Sequence, residues 1–346
     1  MNRNPSITEA PFGSVEGKAV TAYTITNITG MQVSIIDYGA TIIKIITKDK
    51  DGVAGNVILG FNSVEGYIKN GVQYFGSIVG RFCNRIANAS FILDGKEYKL
   101  AANAGLHHLH GGIKGFDKAI WQVEKQPENN SIKLAYLSKD GEEGYPGNLQ
   151  VEVKYTLTNN NAVIIEYVAK TDMATPVNLT NHCYFNLSAG KLPDVLNHIL
   201  YINAQQFTPP LFGSDISKLT IIEKDSPLDF SIAKKIGTDI NKLADNYDHN
   251  MVLEKDNAIA AELYDPSSGR LMEVFTTEPC LQLYSGNFLH NTVIDGAERQ
   301  MFNKHGAICL ETQHFPNSPN EPDYPNTILR PGSIYRQKTE YKFSTR

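Results

Sequence analysis

One pattern recurs along this 346-residue chain and limits what it can become: short runs in which apolar and polar residues alternate, each closed by turn-forming residues. In the clearest run, Leu149, Val151, Val153, Tyr155 and Leu157 alternate with polar side chains up to Thr158. Successive side chains of a strand point to opposite faces, so such a run is a strand with one buried face. Similar runs lie at 31–36, 41–48, 131–138, 162–171, 259–264, 270–277 and 306–312. The stretch ELYDPSSGRLMEV (262–274) reads as a hairpin turned by Asp265-Pro266-Ser267-Ser268-Gly269. Helical periodicity is brief, at 63–69 and 231–244, and no βαβ alternation, fixed repeat or low-complexity linker interrupts the pattern. The expectation is an all-β protein, a large antiparallel β-sandwich or closed barrel whose sheets hide their apolar faces on one another. The length alone suggests about two domains, but the even spread of strand signals favours a single domain over 1–346.

Composition narrows the function classes. With 41% apolar and 20% charged residues the chain has ample material for a core. Its 32 Lys+Arg against 37 Asp+Glu give a net charge of −5 without a basic block, which speaks against nucleic acid or an anionic membrane as partner. No apolar stretch reaches the roughly 20 residues of a membrane span; VSIIDYGATIIKII is broken by Asp37 and Lys44. The N-terminus carries no apolar leader, and Cys83, Cys183, Cys280 and Cys309 are widely spaced without a CxxC pair. A cytoplasmic protein with reduced thiols is expected. GxxxxGK[ST], a strand–GxGxxG–helix unit and a GxSxG elbow are all missing, so nucleotide and α/β-hydrolase chemistry lose their usual handles.

Three constellations carry chemistry. In GLHHLHGG (105–112), His108 and His110 share a face if the segment is extended. A His-x-His pair can ligate zinc with a third ligand from elsewhere; a polar loop contacting solvent or a small ligand is the competing reading. In Pro176–Ser188, read as one strand, Asn178, Thr180, His182, Tyr184 and Asn186 form a polar face opposite Val177, Leu179, Cys183, Phe185 and Leu187. Such a face suits a polyhydroxylated ligand, or is a solvated one. In the third, Ile308 and Leu310 point one way, Cys309 and Glu311 the other, just before a Pro/Asn-rich loop. A carboxyl there is desolvated and its pKa rises toward a useful base value, unless Arg81 or Arg85 pairs with it. The patches GRFCNRIANASF and YDHNMVL add the Arg, Asn, Asp and His that sugar hydroxyls, which both donate and accept, demand.

In this order the pieces GRFCNRIANASFILDGKEYKL, LHGGIKGFDKAIW, DGEEGYPGNLQVEVKYTLT, PVNLTNHCYFNLSA, YDHNMVL, EPCLQLYSGNFL and CLETQHFPNSPN resemble the aldose 1-epimerase (galactose mutarotase) family from about residue 80 to residue 320. The resemblance implies a β-supersandwich holding a free hexose on a concave sheet face, with no cofactor and no metal. It puts the catalytic glutamate on Glu311 and the catalytic histidine on His182, with sugar contacts on Asn84, Arg85, His110, Asp248 and Gln282. The implied reaction is ring opening by acid and base, rotation about C1–C2 and reclosure, with the carboxyl titrating below the imidazole. A monomer or homodimer is expected. A catalytically silent sugar-binding protein and a hexose-phosphate epimerase are the alternatives. The chain departs from many relatives after Phe207-Thr208-Pro209, in a segment (210–230) that can wall the site.

Overall fold

The computed structural model describes residues 4–210, 219–254, 259–289, 292–293 and 301–346. Its largest sheet has nine antiparallel strands, in the order Gln122–Gln126, Ser131–Ser138, Leu149–Leu157, Ala162–Thr171, Tyr335–Thr345, Arg270–Thr276, Ala261–Tyr264, Ile199–Ile202 and Lys234–Lys235. Alternation does what the sequence predicts: Leu149, Val151, Val153, Tyr155 and Leu157 are all buried. The hairpin forms as read, Leu263 opposite Met272, with the Asp265 carboxylate accepting from Ser267 and Ser268.

A second sheet of six strands runs Tyr184–Phe185, Ile308–Gln313, Cys280–Tyr284, Asp248–Leu253, Ala204–Thr208 and Thr220–Ile221. Its two faces divide by parity. Ile308, Leu310, Leu281, Leu283 and Met251 enter the main apolar cluster together with Val153, Ile165, Val274 and Tyr341 of the nine-stranded sheet. Tyr341 ties the layers by donating from its hydroxyl to Leu310 O at 3.2 Å, and its ring meets Phe185 at 5.1 Å. A five-stranded sheet, Ser6 to Asn56, adds Ile25, Val33, Ile35 and Ile45 to the same cluster. The architecture is a large antiparallel β-sandwich, and the outer parity of the six-stranded sheet is left for a site.

Two local expectations are corrected. The periodicity at 231–244 yields no helix: Lys234–Lys235 pairs as an edge strand with Ile199–Leu200, and two 3-10 turns bury Ile236 and Ile240. Ile236 donates to His198 O at 3.0 Å and Gly237 to Leu196 O at 2.8 Å, so partners outside the segment take its backbone bonds, while Asp239 pairs with Lys234 and Lys242 within it. The short helix at Val64–Lys69 does form, with Ser63 capping Gly66 N–H. Nor is 176–188 one strand. Thr180–Asn181 pairs with Ile78–Val79 and Tyr184–Phe185 with Ile308–Cys309, so the chain changes sheets at His182–Cys183. Among the described residues no helix is long and apolar enough to cross a membrane.

Candidate active site

Backbone bonds at the sheet change place the first site residue. His182 N donates to Ser77 O at 3.0 Å and His182 O accepts from Gly76 N at 2.8 Å. The neighbouring amides brace this crossing: Asn181 donates to Gly76 O, Asn178 accepts from His314 N, and Asn186 donates to Gly306 O. Of the polar face read from the sequence, His182 and Tyr184 line the cavity; Asn178 and Asn186 serve the backbone.

The segments 80–91 and 105–112 are joined by a two-residue ladder, Arg85 to Leu109 and Ile86 to His108. It ends where His110 takes a left-handed φ of 51°, so His108 and His110 do not share a face. His108 turns inward, its Nδ1 2.8 Å from Ala101 O and its Nε2 2.8 Å from the Tyr145 hydroxyl. The next residue must be glycine: at Gly111, φ 82°, a Cβ would sit 1.8 Å from Gly80 O. His110 Nδ1 accepts from Asn84 N at 3.2 Å, which leaves the ring's proton on Nε2. Burial, with His182 and Arg85 beside it, pushes His110 well below its ordinary pKa, so it is a neutral N–H donor.

The six-stranded sheet supplies the floor. Glu311 stands opposite Gln282, and Gln282 opposite Asn250, with Asp248 one step along the same face. Gln282 donates to Asp248 Oδ1 at 2.6 Å and accepts from Asn84 at 3.1 Å; Gln313 donates to Asn250 at 2.8 Å. This chain of amides fixes which oxygens and N–H groups remain for a ligand. The loop after Glu311 returns to the same frame: Asn317 donates from its backbone N to Arg85 O and accepts from Ala87 N.

Asn84, Arg85, His110, His182, Asp248, Gln282 and Glu311 thus line one open cavity of about 240 Å³. That is smaller than the roughly 300–1,000 Å³ of drug-sized pockets and suits a small ligand. The suggested Arg81–Glu311 pair does not form, because the Arg81 guanidinium is spent on Pro146 O, Gly147 O and Ser138. Sequence reasoning missed Tyr74, whose ring lies 4.7 Å from His110 and 6.0 Å from His182. Its only signal was an aromatic between Gly71 and Gly76, and no periodicity marks a loop. Tyr284 and Phe288 line the cavity too and were legible in principle, Tyr284 standing two residues from Gln282 on the same strand face. Of the divergent segment 210–230, residues 211–218 lie outside the described residues; the described remainder, 210 and 219–230, does not line the cavity.

His182 Nε2 and Glu311 Oε2 are 3.6 Å apart and both side chains are buried. Burial raises the Glu311 carboxyl well above its ordinary range, Asp248 adding to the effect, and burial lowers His182 to about 4. This reverses the order expected from sequence, because neither group faces a fixed counter-charge strong enough to repay desolvation. The proton of the pair therefore rests on the carboxyl, and moving it to the imidazole changes no net charge. Among the described residues Glu311 Oε2 has no hydrogen-bond partner. Such a pair can take a proton from one oxygen of a small molecule and give one to another.

The aldose 1-epimerase family model matches residues 21–342, and the chain belongs to that family. It is 40% identical to the galactose mutarotase of Bos taurus, over 98% of this chain and 99% of that one. It is 36% identical to the aldose 1-epimerase of Escherichia coli, over 97% and 99%. The crystal structure of an aldose epimerase homologue from C. elegans superposes with a TM-score of 0.84 at 28% identity, covering 99% of both chains.

Proposed function

We propose that this chain is an isomerase, an aldose 1-epimerase that interconverts the α and β anomers of a free hexose such as galactose or glucose. Glu311 and His182 exchange the protons, while Asn84, Arg85, His110, Asp248 and Gln282 bind the sugar. The observation that carries the reading is the buried carboxyl–imidazole pair, 3.6 Å apart, in a cavity walled mostly by hydrogen-bonding side chains. Binding alone needs no such pair. The relatives named mutarotases and epimerases at 36–40% identity support the same activity. Residues 1–346 are taken as one functional unit, since the main apolar cluster runs from Ile25 to Phe343. Four buried cysteines, none of them in a disulfide, support a cytoplasmic location.

The cyclic sugar reacts once the pair's proton has shifted from Glu311 to His182, a transfer that leaves the net charge of the site unchanged and leaves Glu311 ionised. Glu311 takes the proton of the C1 hydroxyl and His182 Nε2 gives one to the ring oxygen O5. The C1–O5 bond breaks, its electrons going to O5, and C1=O1 forms. The pair is now Glu311–H and neutral His182, the state that burial favours, so the site itself stabilises the open-chain complex. Rotation about C1–C2 turns the other carbonyl face to O5. On reclosure Glu311 returns a proton to O1 and His182 takes one from O5. His110 Nε2–H and Arg85 stabilise oxygens on which charge develops.

A second reading has its own observation: donor atoms of His110, His182 and Glu311 lie within 4.8 Å of one another, close enough to hold a divalent cation. Polarimetric decay of fresh α-galactose, with and without exhaustive chelation, separates the two. The acid–base reading expects decay well above the spontaneous rate and unchanged by chelator. Loss of activity on chelation, with recovery on returning zinc, would favour the metal. Decay at the spontaneous rate in both arms would leave a sugar-binding protein. Competition by a hexose phosphate stronger than by free hexose would point to the phosphorylated substrate.

A further inference from the structure

The His182 imidazole has two faces and two edges, and only one edge does the chemistry. Two aromatic rings stack near it, Tyr184 at 5.1 Å and Tyr74 at 6.0 Å, each inclined by 19°. This stacking sets the plane of the ring. It does not choose between the two orientations related by a half-turn about Cβ–Cγ, which exchange each nitrogen for a carbon within the same plane. The reaction requires one of them, with Nε2 toward Glu311 and the sugar. It also requires that Nδ1 keep its proton throughout, because the ring must alternate between the imidazolium and the neutral form whose Nε2 lone pair accepts from O5–H.

The partner at Nδ1 is the Cys309 sulfur, 3.6 Å away. Cys309 lies two residues before Glu311 on the same strand face, wholly buried, with Tyr184 and Tyr284 opposite it in the neighbouring strands. We propose that Cys309 is a positioning residue for the proposed reaction: its sulfur accepts the Nδ1–H of His182 and so keeps Nε2 as the atom that exchanges a proton with the ring oxygen. The inference rests on the reading of His182 as the acid.

The choice of a thiol has a consequence. Burial and the nearby Glu311 hold Cys309 far above the ordinary thiol range, so it stays uncharged. A carboxylate in this place would favour the imidazolium by charge and make the proton costly to release. A neutral, weakly accepting sulfur orients the ring without that penalty. One strand thus delivers both the base, Glu311, and the group that aims the acid, in register two residues apart.

Three variants, Cys309→Ser, Cys309→Ala and Cys309→Val, test this against a purely packing role. Serine keeps an acceptor; alanine and valine do not. Positioning predicts that Cys309→Ser retains most of the turnover, while Cys309→Ala and Cys309→Val lose roughly tenfold in kcat, about one hydrogen bond's worth, at nearly unchanged KM. Packing alone predicts the opposite order, with the hydroxyl the poorest fit among buried rings. Nitrogen-15 NMR of His182 should show the Nδ1–H form of the neutral ring in the wild type and in Cys309→Ser, and a tautomer mixture in Cys309→Ala. Thermal melts identify any variant that fails to fold, and the serine–alanine comparison stands without valine. Wild-type kcat in both Cys309→Ala and Cys309→Val, or serine poorer than either, would overturn the proposal. Glu311→Gln serves as control: if it too turns over normally, the fault lies with the acid–base reading, and if it is slow, with Cys309 alone.

Discussion

Glu311→Gln slows anomerisation of galactose by roughly 10²–10⁴-fold, the usual share of a positioned acid or base, and leaves sugar affinity nearly unchanged. The amide keeps the volume and the hydrogen-bonding reach of the carboxyl but has no basicity, so O1–H finds nothing to take its proton. Affinity survives because the amide chain from Asp248 through Gln282 to Asn84 does not pass through Glu311. The substitution replaces a buried carboxyl that holds its proton by a neutral amide of the same shape, so the folded state is not expected to suffer. Polarimetry gives kcat and calorimetry gives Kd. Wild-type turnover in this variant would remove Glu311 from the base role.

His182→Asn has an effect of similar size and a different pH signature. In the proposed reaction the wild-type pair works with one proton. The rate falls at low pH, as a second proton enters toward the His182 value of about 4, and at high pH, as the last proton leaves a carboxyl raised by burial. Both limbs belong to the pair and not to either residue. Without the imidazole only a base remains. The residual rate, corrected for spontaneous mutarotation, should rise as Glu311 ionises and then level off without a downturn. Backbone bonds of residue 182 to Gly76 and Ser77 do not depend on the side chain and hold the crossing in place. A bell retained in His182→Asn would mean that another group supplies the acid.

The strands were legible because alternation records one buried face. Leu149–Leu157 and Ile308–Gln313 match the runs read from the sequence closely, and parity placed Glu311 on the face opposite Ile308 and Leu310. The change of sheets at His182 was not legible, since it depends on backbone bonds to Gly76 and Ser77, far earlier in the chain. For the same reason five polar residues at strand spacing looked like one face, when three asparagines of that stretch brace a crossing. The 231–244 segment misled because Ile236 and Ile240 sit at helical spacing while Ile199–Leu200 claims the backbone of Lys234–Lys235 as an edge strand. The site residues themselves came from ordered motifs, and all seven meet in one cavity. What the motifs did not carry was the environment: the burial that inverts the expected pKa order, and Tyr74 beside the His182 ring.

The central claim is that this site moves protons between oxygens and breaks no C–H bond. Exchange NMR on equilibrated galactose labelled with carbon-13 at C1, in deuterium oxide, tests it directly. The account predicts exchange between the α and β C1 signals far above the spontaneous rate, with hydrogen retained at both C1 and C2. Anomer exchange no faster than without protein, or deuterium accumulating at C2 through an enediol, would contradict it.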